Sequence, residues 1–268
     1  MPRANRYFVV GYIWHITHRC HKQEFLLKFS RDRKLWIAWL FEAKKRFGLT
    51  VFNYIVTSNH IHLLLEDPGG DAIPKAMQLI AGRLAQQYNQ RKKRKGAFWE
   101  DRYHATAVDT GSHLSQCLTY IDINMVRAGV VKHPKEWSCS GYHEIQTPPD
   151  RYRIIDLGRL SRKLGFQSVF DFQKQHHEWI EQALIENALE REAKWSQSIA
   201  VGDEPFIEQI TEALYPKAGR REIVEIKGSH TVREPLPAYN AHFDTKMVSL
   251  RSKNTRFWNS SADEKKSC

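Results

Sequence analysis

The sequence predicts a mixed α+β fold, and three observations lead there. Short runs rich in Val, Ile, Phe, Tyr and Leu alternate with stretches of helical apolar spacing, and clusters of Gly, Pro and Asp punctuate the joints. A chain of 268 residues is long enough for one domain with a substantial core, or for one core with an appendage.

Tyr7–Thr17 alternates as a strand, with Trp14 and Ile16 on one face and Ile13 and His15 on the other. Arg31–Phe47 sets Leu35, Ile37, Ala38, Leu40, Phe41 and Phe47 among charges, an amphipathic helix stopped by Gly48. Val51–Glu66 suits two strands joined through Thr57-Ser58-Asn59, and Asp67-Pro68-Gly69-Gly70 then turns the chain. A second helix is expected from Asp71 to about Asn89. Its buried stripe is Ile73, Met77, Ile80, Leu84 and Tyr88, and Pro74 is tolerable in the first turn. Tyr103–Val108 reads as a further strand, and Ser112 as the N-cap of a helix over His113–Arg127. The pattern changes from Pro134, and Gln146-Thr147-Pro148-Pro149-Asp150 reads as a linker. Helical spacing returns over Asp156–Leu164, Val169–Trp195 and Glu204–Tyr215. The expected organisation is a first domain over 1–145, a helical basic extension over 146–251, and a polar, disordered tail over 252–268.

The balance of charge points to a polyanionic partner: 41 Lys and Arg stand against 30 Asp and Glu, a net +11. No stretch approaches the roughly 20 apolar residues of a membrane span, so no membrane partner is expected. Basic residues precede a short apolar run at the N-terminus, but Tyr12, Trp14 and His15 break that run and no small-residue cleavage site follows. A strand is the reading, not a signal peptide. Cys20, Cys117, Cys139 and Cys268 form no C-x-x-C pair, which suits reduced thiols in a cytoplasmic protein.

The chemistry centres on Asn59-His60-Ile61-His62. On a strand His60 and His62 project from one face, and two imidazoles fixed side by side can chelate a metal. Incidental histidines on a half-exposed strand are the other reading, since the chain holds 13. His15, His18 and His21 straddle a strand end and lack ligand geometry; basic residues there, Arg19 among them, face phosphate more naturally. Arg91, Lys92, Lys93, Arg94 and Lys95 form a cationic run, by itself a solvated loop. Phe98-Trp99-Glu100-Asp101-Arg102-Tyr103-His104 follows it, and cations beside rings suit single-stranded nucleic acid. Tyr120 and Asn124 stand at i and i+4 and share a helix face. If His60, His62 and Asn124 held one divalent cation, Tyr120 beside it would be a nucleophile toward a phosphodiester, leaving a covalent phosphotyrosine. Such a linkage conserves the energy of the broken bond, so a second hydroxyl can rejoin the strand without ATP. Water-driven hydrolysis would need a base, for which Glu66 and Asp67 are weak candidates. Two imidazoles favour Mn²⁺, although Mg²⁺ is the more available ion.

These residues resemble a known family. Asn59–Leu65 looks like the His-hydrophobic-His motif of the single-tyrosine transposases of small bacterial insertion sequences. Phe98-x-x-x-Arg102-Tyr103, Tyr120–Val131 and Trp137-Ser138 are similar to the subfamily associated with repetitive extragenic palindromes (REP), and the likeness covers Tyr7–Tyr142. Gly202–Ile207 resembles a C-terminal segment of that subfamily more weakly. The resemblance implies a ferredoxin-like core whose central antiparallel sheet carries the His pair. It implies a metal-dependent endonuclease and strand transferase on single-stranded DNA near hairpins, with Tyr120 forming a 5′-phosphotyrosine and His60, His62 and Asn124 holding Mg²⁺ or Mn²⁺. DNA contacts are expected from Arg19, Arg91–Lys95, Arg102, Tyr103 and Arg127. Met125 departs from the subfamily, which usually has proline there. A non-catalytic DNA- or RNA-binding protein that kept the fold is the alternative. Monomer and interlocked homodimer both stay open.

Overall fold

The computed structural model describes residues 8–186, 190, 192–214, 222–226 and 229–233. Four strands, β1 (Ile13–Arg19), β2 (Thr50–Val56), β3 (His60–Glu66) and β4 (His104–Val108), alternate with helices α1 (Ser30–Phe47) and α2 (Ala72–Lys92). β1 lies between β3 and β4, Trp14 standing opposite Leu65 on one side and Ala107 on the other, and β2 pairs outside β3. All of these pairings are antiparallel, in the order 2-3-1-4. This is the β-α-β-β-α-β arrangement of a ferredoxin-like core.

Local chemistry explains the helices. α1 buries Trp36, Leu40 and Ala43 and ends where Gly48 turns left-handed at φ +65°, which costs glycine no steric strain. α2 buries the stripe expected for it, Ile73, Met77, Ile80, Leu84 and Tyr88, together with Ala72 and Ala76. β1 starts later than its alternation suggests. Gly11, at φ +81°, turns the chain and donates to the Asp67 carbonyl, so residues 8–12 stay outside the sheet; Tyr7 lies outside the described residues.

The helix expected over His113–Arg127 is interrupted, and this corrects the sequence reading. α3 (Ser112–Asp122) and α4 (Asn124–Arg127) meet at Ile123, whose ψ of 3° leaves the helical well. Gly111 occupies the N-cap position; Ser112 is the first helical residue and caps nothing. The interruption is shallow, because Arg127 N–H still donates to the Ile123 carbonyl and Ala128 N–H to that of Asn124. It falls beside Asp122, whose two carboxylate oxygens accept from Asn53 Nδ2 (3.0 Å) and His176 Nε2 (2.8 Å).

Residues beyond 145 are built into the same core as those before it. The helices α5 (Tyr142–Gln146), α6 (Leu157–Lys163), α7 (Val169–Ile185), α8 (Lys194–Gln197) and α9 (Glu204–Leu214) follow, and Phe172 and Trp195 are fully buried in the main cluster. The stretch expected as one helix over Val169–Trp195 is therefore α7 and a separate α8. The supposed linker runs on to Ile154 and Ile155, whose N–H groups are bound by the Glu144 carboxylate at 2.6 and 2.8 Å. The extension is mostly helical, as expected, and carries short strands besides. Three short strands, β5 (Ala200–Gly202), β6 (Glu222–Ile226) and β7 (Ser229–Arg233), lengthen the sheet to 2-3-1-4-5-7-6, with β5 parallel to β4. The tail 252–268 lies outside the described residues. Among the described residues no helix is long and apolar enough to cross a membrane.

Candidate active site

β3 sets His60 and His62 on one face, and β1 places Arg19 opposite His60 and Thr17 opposite His62. The turn before β3 orients the first imidazole. His60 Nδ1 lies 2.7 Å from Asn59 Oδ1 and 2.9 Å from Thr57 Oγ1. An amide oxygen only accepts, so His60 carries a proton on Nδ1, which in the neutral ring puts the lone pair on Nε2. The His60 and His62 ring centroids are 4.9 Å apart.

α3 closes over this face. Asn124 Nδ2 is 3.1 Å from His62 Nε2, and the Tyr120 ring centroid is 5.8 Å from that of His62. Tyr120 and Asn124 are both buried, and the Arg127 guanidinium sits 4.1 Å from the centre of the Tyr120 ring. Cation and ring face attract through the ring quadrupole, and the same charge favours negative charge developing on the phenol. One chain thus supplies both the His pair and the tyrosine helix.

A third histidine lies behind the pair. His15 Nδ1 is 2.9 Å from the Trp195 carbonyl oxygen and its Nε2 is 2.8 Å from His62 Nδ1, with the two rings stacked at 8°. Burial, the largest influence on it, pushes the His15 imidazole down to about 3, so it is neutral at physiological pH.

These groups open onto a cleft of about 750 Å³. The buried His62, Tyr120 and Asn124 line it together with the more exposed His60, Arg19, Arg102 and Arg127, and Ser196 and Gln197 join them from α8. The other expected nucleic-acid contacts fall elsewhere. Arg91 is ion-paired with the buried Asp32, Lys92 lies over the Phe29 ring, and Arg94 pairs with Glu24 and donates to the Ala97 carbonyl. Arg91 and Lys92 belong to the last turn of α2, and Lys93 closes it, so only Lys92, Lys93 and Lys95 present exposed side chains. Tyr103 is 9% exposed, packed near Phe8 and His18, and Phe98 is buried against Tyr88. The cation-and-ring reading therefore does not hold for those two rings, which serve the core. Glu66 stands at the opposite end of β3 from His60, bound by Arg159 and Lys163.

Among the described residues no three His, Cys, Asp or Glu side chains converge as a metal site. A divalent cation would take the two imidazoles and the Asn124 amide oxygen, three neutral donors with positions left open. The lone pair of His62 Nε2, which faces Asn124 at 3.1 Å, fits that role.

Residues 8–124 match the family model described as Transposase IS200 like. Among solved structures, the chain is similar to a REP-associated tyrosine transposase bound to a REP hairpin, at 20% identity and a TM-score of 0.47, covering 58% of this chain and 94% of that one. It is also similar to a candidate transposase from Deinococcus radiodurans R1, at 18% identity and a TM-score of 0.32, covering 44% and 95%. No curated protein matches the chain.

Sequence reasoning missed His15, Trp195, Ser196 and Gln197. His15 is visible as a strand histidine, but nothing local marks its partners.

Proposed function

We propose that the protein is a metal-dependent single-stranded DNA endonuclease and strand transferase acting near hairpins. The observation that carries this reading is the convergence of His60, His62, Asn124 and Tyr120 on one cleft, lined also by Arg19, Arg102 and Arg127 beside Glu100 and Asp101. The family model supports the transposition chemistry, and the motif likeness supports the hairpin substrate.

Arg19, Arg102 and Arg127 would bind the backbone phosphates, and Lys92, Lys93 and Lys95 would act as outlying cations. Tyr120 Oη attacks the phosphorus, the P–O3′ bond breaks, and the departing strand leaves with a 3′-hydroxyl while its partner stays as a 5′-phosphotyrosine. The phenolic proton passes to solvent through the cleft and the departing 3′ oxygen takes one up from solvent, so no proton is gained or lost overall. When bound, Mg²⁺ or Mn²⁺ would polarise the scissile phosphate and stabilise charge as it develops. Arg127 over the ring favours the phenolate both on attack and on departure. In the second step a 3′-hydroxyl attacks the same phosphorus and expels Tyr120, restoring a phosphodiester without ATP.

The test is a denaturing gel of protein with hairpin-bearing single-stranded DNA labelled 3′ of the cut. A Mn²⁺-dependent covalent adduct is expected for wild type and none for Tyr120→Phe. DNA that binds yet is neither cut nor linked across several hairpins would favour the non-catalytic binding protein instead. Because one chain brings Tyr120 to its own His pair, mixing His60→Ala with Tyr120→Phe protein should restore no cleavage. Restored cleavage would mean that the tyrosine acts in a second copy.

A further inference from the structure

We infer that His15 is a positioning residue that fixes the tautomer and ring plane of His62, and that the Trp195 carbonyl, beyond the family-matched stretch, fixes His15 in turn. The inference rests on reading His62 as a metal ligand, and it concerns hydrogen bonds present before any metal or DNA arrives.

The direction of each bond follows from what its atoms can do. A carbonyl oxygen only accepts, so His15 Nδ1 carries a proton and donates to Trp195 across 2.9 Å. His15 is fully buried against His62, Trp195 and Tyr120, and among the described residues no carboxylate beside it compensates a charge. It is therefore neutral, with one ring proton, already placed. Its Nε2 is then an acceptor, and His62 Nδ1, 2.8 Å away, must donate. That leaves the lone pair of His62 on Nε2, the atom 3.1 Å from the Asn124 amide and on the cleft. A metal needs that lone pair, and a ring whose other nitrogen is held offers it without first moving a proton. A free histidine side chain in water prefers the opposite tautomer, so the relay works against the default.

The far end of the relay is anchored. Trp195 is fully buried. Three residues later the Ser198 carbonyl accepts from Thr106 Oγ1 (2.6 Å) and lies 2.9 Å from His104 Nε2, and Ala107 N–H donates to the Ile199 carbonyl (2.8 Å). The segment after α8 is thus stitched to β4, next to the strand that carries His15. C-terminal residues consequently complete the metal-binding end of the site from behind.

The experiment uses the full chain without DNA. Long-range proton–nitrogen correlation spectra of ¹⁵N-histidine protein report the His62 tautomer, and calorimetric titration with Mn²⁺ alone reports affinity. Wild type should show His62 protonated on Nδ1. His15→Phe, which cannot accept, should move the proton to Nε2 and weaken Mn²⁺ binding about tenfold or more. His15→Gln, whose amide oxygen can accept from His62, should keep the wild-type tautomer and most of the affinity. The inference is overturned if wild-type His62 is protonated on Nε2, an outcome that needs no variant to fold. It is equally overturned if His15→Phe leaves both tautomer and affinity unchanged. Protein with the expected tautomer and Mn²⁺ affinity that never cuts DNA would instead sink the endonuclease reading and leave the relay standing.

Discussion

His15 and His176 are both wholly buried, and they are held in opposite ways. His15 lies between a carbonyl and a second imidazole, with no acid beside it among the described residues. His176 donates from Nε2 to the Asp122 carboxylate at 2.8 Å, while its Nδ1 accepts from Gln146 Nε2 at 2.8 Å. The first arrangement is neutral and hands on a lone pair; the second holds a buried charge in place. Each supports one half of the candidate site. His15 backs the strand that carries His62, and His176 clamps Asp122, midway between Tyr120 and Asn124 on the opposing helices. The comparison teaches that the C-terminal residues reach the site twice, once through proton position and once through charge.

The largest expected effect falls on the charged clamp. His176→Phe leaves the Asp122 carboxylate buried with Asn53 alone, and an unmet hydrogen bond on a buried carboxylate costs about 3 kcal/mol, more than on a neutral group. The urea midpoint should fall accordingly, while the His62 tautomer in the folded fraction stays as in wild type. A changed tautomer would erase the distinction between the two clusters. His15→Phe should cost less, about 2 kcal/mol, because it leaves only the neutral Trp195 carbonyl and the His62 ring N–H unpaired. A loss as large as that of His176→Phe would erase the contrast between a neutral cluster and one that includes a carboxylate. Combining the two substitutions sharpens the contrast: the clusters share no partner, so the effects should add to within about 0.5 kcal/mol. Stronger coupling would show one network where the hydrogen bonds draw two. The smallest effect lies outside both clusters. Lys93→Ala with Lys95→Ala removes two exposed cations and should shift stability by no more than about 0.5 kcal/mol. It should reduce the slope of log affinity for single-stranded DNA against log salt by roughly 0.7 for each phosphate that is no longer neutralised. An unchanged slope would make those lysines bystanders.

Much of the core was legible because its signals are local. The stripe on α2 and the Gly48 stop recur at helical spacing, the strand alternation set His60 and His62 on one face, and the i, i+4 spacing brought Tyr120 beside Asn124 across the interruption at Ile123. What escaped was either too short or too distant. β5, β6 and β7 span three to five residues each, too few for a period to emerge. The partners of His15 lie 47 and 180 residues away along the chain. The cationic run misled for a related reason. Arg91 reads as one more free charge until Asp32, on another helix, is seen to hold it. Phe98 and Tyr103 looked exposed from their polar neighbours, yet the turn into β4 tucks both rings inward.

The bond between His15 and the Trp195 carbonyl also sets a schedule. A ribosome adding about 5–20 residues per second needs roughly 4–15 s to travel from Tyr120 to Trp195. Through that interval the nascent chain already holds its His pair and its tyrosine, but not the carbonyl that settles where the proton on His62 resides. An unfinished polypeptide therefore carries His60, His62 and Tyr120 without the partner that fixes His15, and the cluster closes only after Trp195 has been made.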